Sequence, residues 1–265
     1  MSQQPMPTLF IGHGSPMNAL EDNAHTRAWC RLGEQLPKPR AILAISAHWY
    51  TRGTEIAAAE KPATLHDFHG FPPALYECDY PAPGAPDLAR EIQELLQPLN
   101  VELDDNWGLD HGIWSVLMHM YPQAGIPTLQ LSIDATKPAE FHYELGRQLR
   151  PLRDRGVLIL ASGNVVHNLA QVTWGERVAV PAWAENFNAL IRDALARGDH
   201  RSLIHYQLAG HDARLAVPTP EHFLPLLYVA GASSEKDNVT FPTDGIELGT
   251  ISMLSVMFAR QTATQ

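Results

Sequence analysis

The sequence predicts an α/β fold, a single domain with a central, mostly parallel sheet flanked by helices. Three observations carry that expectation. Short apolar runs end abruptly at residues 8–11, 41–45 and 157–160, which is how parallel strands buried on both faces read. Segments with helical apolar periodicity alternate with these runs. The chain has 265 residues, 45% of them hydrophobic, enough for one large core over residues 1–265.

In chain order, the first strand is expected at 8–11 and is stopped by Gly12-His13-Gly14-Ser15-Pro16. The second, 41–45, runs into Ser46-Ala47-His48-Trp49, and a third is expected at 55–58. Residues 61–86 read as loop, with Pro72-Pro73 and Pro81-Ala82-Pro83-Gly84 fixing turns. A helix over 87–96 starts on Pro86 and Asp87. Ile113, Trp114, Val116, Leu117 and Met120 predict a helix opened by His111, with Asp110 a suitable N-cap. A strand follows at 127–132, then a helix at 139–150 stopped by Pro151. The strongest strand, 157–160, leads into Ser162-Gly163-Asn164-Val165-Val166-His167-Asn168. Residues 182–196 form a helix with Trp183, Phe187, Leu190, Ile191 and Leu195 on one side. Thr219 and Pro220 read as a helix start with Glu221 and His222 in its first turn, and a last strand is expected at 249–254.

The formal charge of −10 has no long single-sign block, which argues against nucleic acid as a partner. The 2 cysteines, Cys30 and Cys78, are far apart and form no CxxC pattern, so a reducing compartment is expected rather than a disulfide framework. Met1-Ser2-Gln3-Gln4-Pro5 lacks the basic and apolar regions of a signal peptide. No apolar stretch approaches the roughly 20 residues that span a bilayer. The expected location is the cytoplasm, with no membrane partner; the oligomeric state is left open.

The chain carries 13 histidines. His13, His48 and His167 fall just past apolar runs, at the strand ends where sites of α/β sheets assemble. Imidazoles repeated there point to a metal centre. Each also has a plain explanation: a tight glycine turn for His13, a strand end for His48, a helix cap around Asp110 for His111. For His167 it is a polar loop, and for His222 a solvated first-turn side chain. An imidazole at a helix N-terminus stays neutral, so His111 is suited to hydrogen-bonding a substrate oxygen. His167 is suited to be a ligand or a general base. His66 and His69 sit in His66-Asp67-Phe68-His69-Gly70-Phe71-Pro72, a loop able to cover a pocket. The other histidines have no comparable context. No HExxH, P-loop, GxGxxG or GxSxG motif occurs.

Taken together, Gly12-His13-Gly14-Ser15-Pro16-Met17, Ser46-Ala47-His48-Trp49, His66-Asp67-Phe68 and Tyr80-Pro81-Ala82-Pro83-Gly84 form one ordered series. It continues through Trp107-Gly108-Leu109-Asp110-His111-Gly112, Ser162–168 and Pro218-Thr219-Pro220-Glu221-His222. The series resembles the class III extradiol ring-cleavage dioxygenases of the LigB superfamily, nearest its DOPA-cleaving branch, over almost the whole chain. The resemblance implies a LigB-like fold and a non-haem metal site. It places His13 and His48 at the two metal-binding histidines, His167 at the acid/base histidine and His111 at a second histidine that contacts a substrate oxygen. His222 falls where the third ligand is expected. Better-known members carry a glutamate there, so the adjacent Glu221 is an alternative, and His167 is a further ligand candidate in a resting form.

A two-histidine, one-carboxylate face suits Fe(II) oxygen chemistry. Three or four imidazoles suit Zn(II) equally. The expectation is Fe(II) as working metal, with Zn(II) bound in purified or resting protein. The implied reaction inserts O2 into a catechol ring beside its two hydroxyls, with L-DOPA or a related catechol giving a ring-opened semialdehyde. His167 would take the phenolic proton, and Trp49, Tyr50, Phe68 and Phe71 would pack the ring. Arg52 and Lys61 are candidates for a substrate carboxylate, though each reads more simply as a solvated charge. Two rivals are a zinc hydrolase on the same scaffold, with a zinc-bound water of pKa ~7, and a non-catalytic binding protein. Metal-dependent O2 consumption separates the first reading from both.

Overall fold

The computed structural model describes residues 4–175 and 178–260. Its eight-stranded sheet has the order β4-β3-β5-β2-β6-β1-β10-β7. The four central strands are β5 (Thr128–Asp134), β2 (Ala41–Thr51), β6 (Val157–Gly163) and β1 (Thr8–Gly12), and they are mutually parallel. On one side β3 (Thr54–Ala57) meets β5 antiparallel and β4 (Val101–Asp104) parallel. On the other, β10 (Val256–Arg260) and β7 (Asp237–Thr240) close the sheet antiparallel. A separate hairpin pairs β8 (Ile246–Glu247) with β9 (Ile251–Ser252).

The central runs are apolar throughout because each strand is covered on both faces. Successive side chains alternate sides. Leu9, Ile11, Ile42, Ala44, Leu158 and Leu160 face one core with Trp29 of α1 (Ala24–Gln35) and Trp114 of α4 (His111–Met120). Phe10, Leu43, Ile45 and Ile159 face the other. That second core is filled by α3 (Pro86–Leu95), α5 (Ala139–Leu149), α7 (Ala182–Arg197), α8 (His200–Ile204), α9 (His211–Ala216) and α10 (Leu224–Ala232). Two one-turn helices, α2 (Pro73–Tyr76) and α6 (Pro151–Asp154), complete the α-helices among the described residues. Helices α5 and α10 approach so closely that a Cβ on Gly146 would collide with the Tyr228 backbone, and one on Gly231 with the Tyr143 backbone.

The expected α/β architecture is present, with differences at element ends. Strand β2 runs through His48 to Thr51, and its register with β5 breaks between Ile45 and Tyr50. Pro151 ends α5 but also opens α6, since its missing N–H costs nothing in a first turn. The helix expected from Thr219 begins at Leu224. The His222 carbonyl accepts from Asn164 N–H at 2.9 Å rather than from the next helical turn, and Pro225 sits in the first turn of α10. The strand expected at 249–254 shrinks to Ile251–Ser252. Positive φ angles at Leu248 and Gly249 make a tight turn, and Ser252 and Met253 donate to Val166 and Gly245 instead of extending a ladder. Among the described residues no helix is long and apolar enough to cross a membrane.

Candidate metal centre

The adjacent carboxyl ends of β1, β6 and β2 deliver the first groups. His13 follows β1 directly, and its N–H donates to the Gly163 carbonyl of β6 at 3.2 Å. Gly14 then turns the chain with φ +64°, a conformation that favours glycine, and a Cβ there would meet the Met253 side chain. His48 projects from the irregular end of β2. His222 comes from the turn before α10, clamped by its carbonyl to Asn164 just beyond β6. Residues distant in sequence thus place one donor atom each from His13, His48 and His222 within 4.8 Å of one another.

The outer nitrogens of His13 and His222 fix their tautomers. Ser162 Oγ donates to the Gly112 carbonyl at 2.5 Å, so it accepts from His13 Nδ1–H at 2.9 Å. His222 Nδ1–H donates to Glu221 Oε1 at 3.2 Å. His48 Nδ1 faces Asp67 Oδ2 at 3.4 Å. The Nε2 lone pairs of His13 and His222 are therefore free. His48 Nδ1 is too far from Asp67 to fix its ring's tautomer, and His48 Nε2 lies 3.2 Å from that of His13. Three buried imidazoles converging in this way form a donor set that fits a divalent metal. Burial pushes His13 and His48 well below the usual imidazole range, and neighbouring imidazoles push the same way. Burial also lowers His222, against the pull of Glu221. Neutral imidazoles are the ligating form.

Beside the trio, His111 opens α4. Its backbone N–H and its Nδ1–H both donate to Asp67 Oδ1, each at 2.9 Å. Asp110 is the N-cap residue but its side chain does not cap the helix. Its buried carboxylate accepts instead from Ser46 Oγ at 2.7 Å and Gln130 Nε2 at 2.8 Å. Burial and the nearby Asp67 push that carboxyl up to about 6. The loop bearing Asp67 is tied to the segment before α4. Leu65 N–H donates to Leu109 O, and Trp114 Nε1–H to Leu65 O, each at 2.8 Å. Burial works to raise Asp67, but the bonds from His111 outweigh it and hold the carboxyl below the usual carboxylate range.

His167 lies outside the trio. Its ring stacks on His222 with centroids 3.5 Å apart and planes 7° from parallel. It groups instead with Glu221 and His222, again with one atom each within 4.8 Å. Burial, then His222, push it down to about 3. Burial works to raise Glu221, but the bond from His222 outweighs it and brings the carboxyl to about 2. The imidazoles line a cavity of about 560 Å³. Phe71, Leu169, Val172, Trp174, Leu248 and Ile251 supply its apolar walls. Leu169 is 67% exposed and Trp174 76%, so they form an outer lip. Such a volume suits one small ligand with an aromatic ring.

The structure brings His13, His48, His111, His167 and His222 to one cavity, as the sequence motifs anticipate. Glu221 lines it too, but its carboxylate is turned to His222 rather than grouped with His13 and His48. Of the four expected ring-packing aromatics only Phe71 lines the cavity. Trp49 stacks on Trp107 at 5.2 Å, and Phe68 is buried behind His111. Neither Arg52 nor Lys61 lines it. Sequence reasoning missed Asp67 and Ser162 as partners of the imidazoles, and Leu169, Val172 and Trp174 as wall. The one available signal for the wall was a cluster of large apolar residues in a loop just after His167.

Comparison with known proteins agrees with this geometry. The family described as the catalytic LigB subunit of aromatic ring-opening dioxygenase matches residues 7–259. The chain is 54% identical over 260 residues to the 4,5-DOPA dioxygenase extradiol of Escherichia coli (strain K12), covering 97% of this chain and 96% of that protein. It is 38% identical over 257 residues to the 4,5-DOPA dioxygenase extradiol of Beta vulgaris, covering 95% and 96%. A crystal structure of an uncharacterized protein from Escherichia coli K12 superposes with TM-score 0.84 at 49% identity, covering 95% of this chain and 99% of that one. The chain belongs to the LigB family and is an extradiol, aromatic ring-opening dioxygenase.

Proposed function

We propose that the chain, as one catalytic domain over residues 1–265, cleaves a catechol with O2, with L-DOPA or a close relative as substrate and a ring-opened semialdehyde as product. The observation that carries this reading is the convergence of His13, His48 and His222, one donor nitrogen each within 4.8 Å of one another, with the Nε2 atoms of His13 and His48 3.2 Å apart. They open onto a cavity large enough for one aromatic ring. His13, His48 and His222 would hold the metal, Fe(II) in the working enzyme and Zn(II) in resting protein. When bound, Fe(II) supplies the catechol's coordination and the electron transfer that O2 needs.

The chain's own residues divide the remaining work. His167 is the proton acceptor for the catechol hydroxyl: its ring is neutral, and the nearby Glu221 charge stabilises the protonated form. His111 keeps Nε2 free because Nδ1–H is committed to Asp67, so it orients the substrate or contacts charge developing on oxygen. Phe71, Trp174 and Leu169 wall the ring and limit water. Ligation of a resting metal by His167 would need its ring to leave the His222 stack. A cytoplasmic location fits a reducible iron site and free thiols at Cys30 and Cys78.

The test is anaerobic loading with Fe(II), then L-DOPA and air, with O2 uptake and the yellow product recorded together. The expected outcome is uptake equal to product, absent with Zn(II) and lost in His167→Ala. No uptake with L-DOPA or with a panel of simpler catechols overturns the proposal.

A further inference from the structure

The cavity has an unbalanced charge. Among the described residues it is lined by two carboxylates, Asp67 and Glu221, and by no lysine or arginine. Asp67 is committed to His111 and His48. Glu221 is not fully used: Thr219 Oγ1 at 2.8 Å and His222 Nδ1 at 3.2 Å both reach Oε1. No side-chain donor among the described residues reaches Oε2. Neither Thr219 nor His222 is a fixed cation, so the carboxylate charge is not cancelled. Its side chain is 21% exposed, buried enough to strengthen an ion pair and open enough to meet a ligand. It sits on the same wall as His167 and His222, where one arm of a ring substrate would extend.

We propose that Glu221 is a specificity residue: it selects catechols whose side chain carries an ammonium and disfavours those whose side chain carries only a carboxylate. This rests on the reading of the cavity as a catechol site. An ammonium gains a charge-assisted hydrogen bond to Oε2. A carboxylate meets like charge on that wall, with no lysine or arginine among the described lining residues to pair with it. The selection is made on the side chain, away from the bond that breaks, so it shows in kcat/KM ratios between substrates.

The experiment uses the Fe(II)-loaded enzyme and three 4-substituted catechols of similar length: an aminoethyl, an ethyl and a carboxyethyl derivative. The expected order of kcat/KM is amine, neutral, acid, with amine over acid by about tenfold or more, the size of one charge-assisted hydrogen bond. Glu221→Gln keeps an oxygen for His222 and Thr219 but removes the charge, and should bring the ratio close to unity. A wild-type enzyme that takes the acid as well as the amine overturns the proposal, as does an unchanged ratio in Glu221→Gln. A preference for the acid that vanishes in Arg177→Ala, a position outside the described residues, also overturns it by assigning selection to that arginine. Binding of tyramine against 3-(4-hydroxyphenyl)propionate, read by tryptophan fluorescence of metal-free protein, gives a readout independent of turnover. If no catechol is cleaved, the ring-cleavage reading fails, and the binding order still decides the role of Glu221.

Discussion

Asp67 reaches two histidines with one carboxylate. Oδ1 takes both donors of His111, and Oδ2 faces His48 Nδ1. A carboxylate behind a metal-ligating imidazole fixes its tautomer and aim, and its loss commonly costs 10–100-fold in metal affinity or activity. Here the same group also orients a histidine outside the metal trio. Asp67→Asn presents an amide N–H to one of these rings, where only an acceptor fits. The expected result is metal affinity lowered by about 10-fold or more, read by chelator competition, and a larger drop in kcat because His111 is misaimed as well. Unchanged metal affinity would show that the 3.4 Å approach to His48 carries no energy. Asp67 was visible in the sequence as a residue next to His66, but nothing in a loop pattern shows which carboxylate reaches across 44 positions to His111. His13 and His48 were more legible, because each stands at or beside a strand that an apolar run locates.

Strand β6 ends where the His222 turn crosses it, and Gly163 is the contact. A Cβ there would collide with the His222 carbonyl, the group that Asn164 N–H already holds at 2.9 Å. Gly163→Ala should push the turn away from the strand. Overpacking of this kind costs about 1–3 kcal/mol, and His222 should move with the turn. Urea unfolding should show the destabilisation, and the metal-free and zinc-loaded proteins should then differ less in melting temperature than they do in the wild type. An unaltered zinc effect would mean that the turn relaxes without moving the ring. Elements show the same limit on what a sequence reveals. The central strands and α3, α5 and α7 carry clear runs or stripes and lie within a few residues of their expected positions, apart from the extended end of β2. Helix α10 is buried on every side, so Leu224 through Ala232 have no polar face from which to read a 3.6 period. Its start is decided by a tertiary bond from Asn164 to His222, which local pattern does not contain. The short hairpin of β8 and β9 likewise depends on where Val166 and His167 pass.

Across the whole molecule, buried histidines make stability depend on pH. His142 of α5 is fully buried, with Nδ1 at 2.9 Å from the Tyr228 hydroxyl and, among the described residues, no partner for Nε2. Burial lowers its pKa from 6.5 to about 4, opposed by the nearby Lys137 backbone and by Asp134. The folded value lies below the unfolded one, so between them the unfolded chain binds more protons. The contribution of neutral His142 is complete above pH 6.5 and is lost as pH falls toward about 4. At roughly 1.4 kcal/mol per unit, a shift of this size is worth on the order of 3 kcal/mol. The same sign holds for the lowered imidazoles of the metal centre. Asp110, pushed up to about 6, titrates in the same window with the opposite sign, whereas the ion-paired carboxylates fall in a different one. Burial works to raise Asp237, but the two bonds from the buried Arg153, at 2.6 and 3.0 Å, hold it below its usual 3.8, and its contribution is lost only in stronger acid. Metal-free protein should therefore have a lower urea midpoint at about pH 5 than at about pH 7.5, before any carboxylate pair breaks. His142→Gln should reduce that fall and leave a remainder belonging to the metal-centre histidines. A midpoint that does not change over this range would mean that these rings are solvated or paired when protonated, and that burial does not keep them neutral.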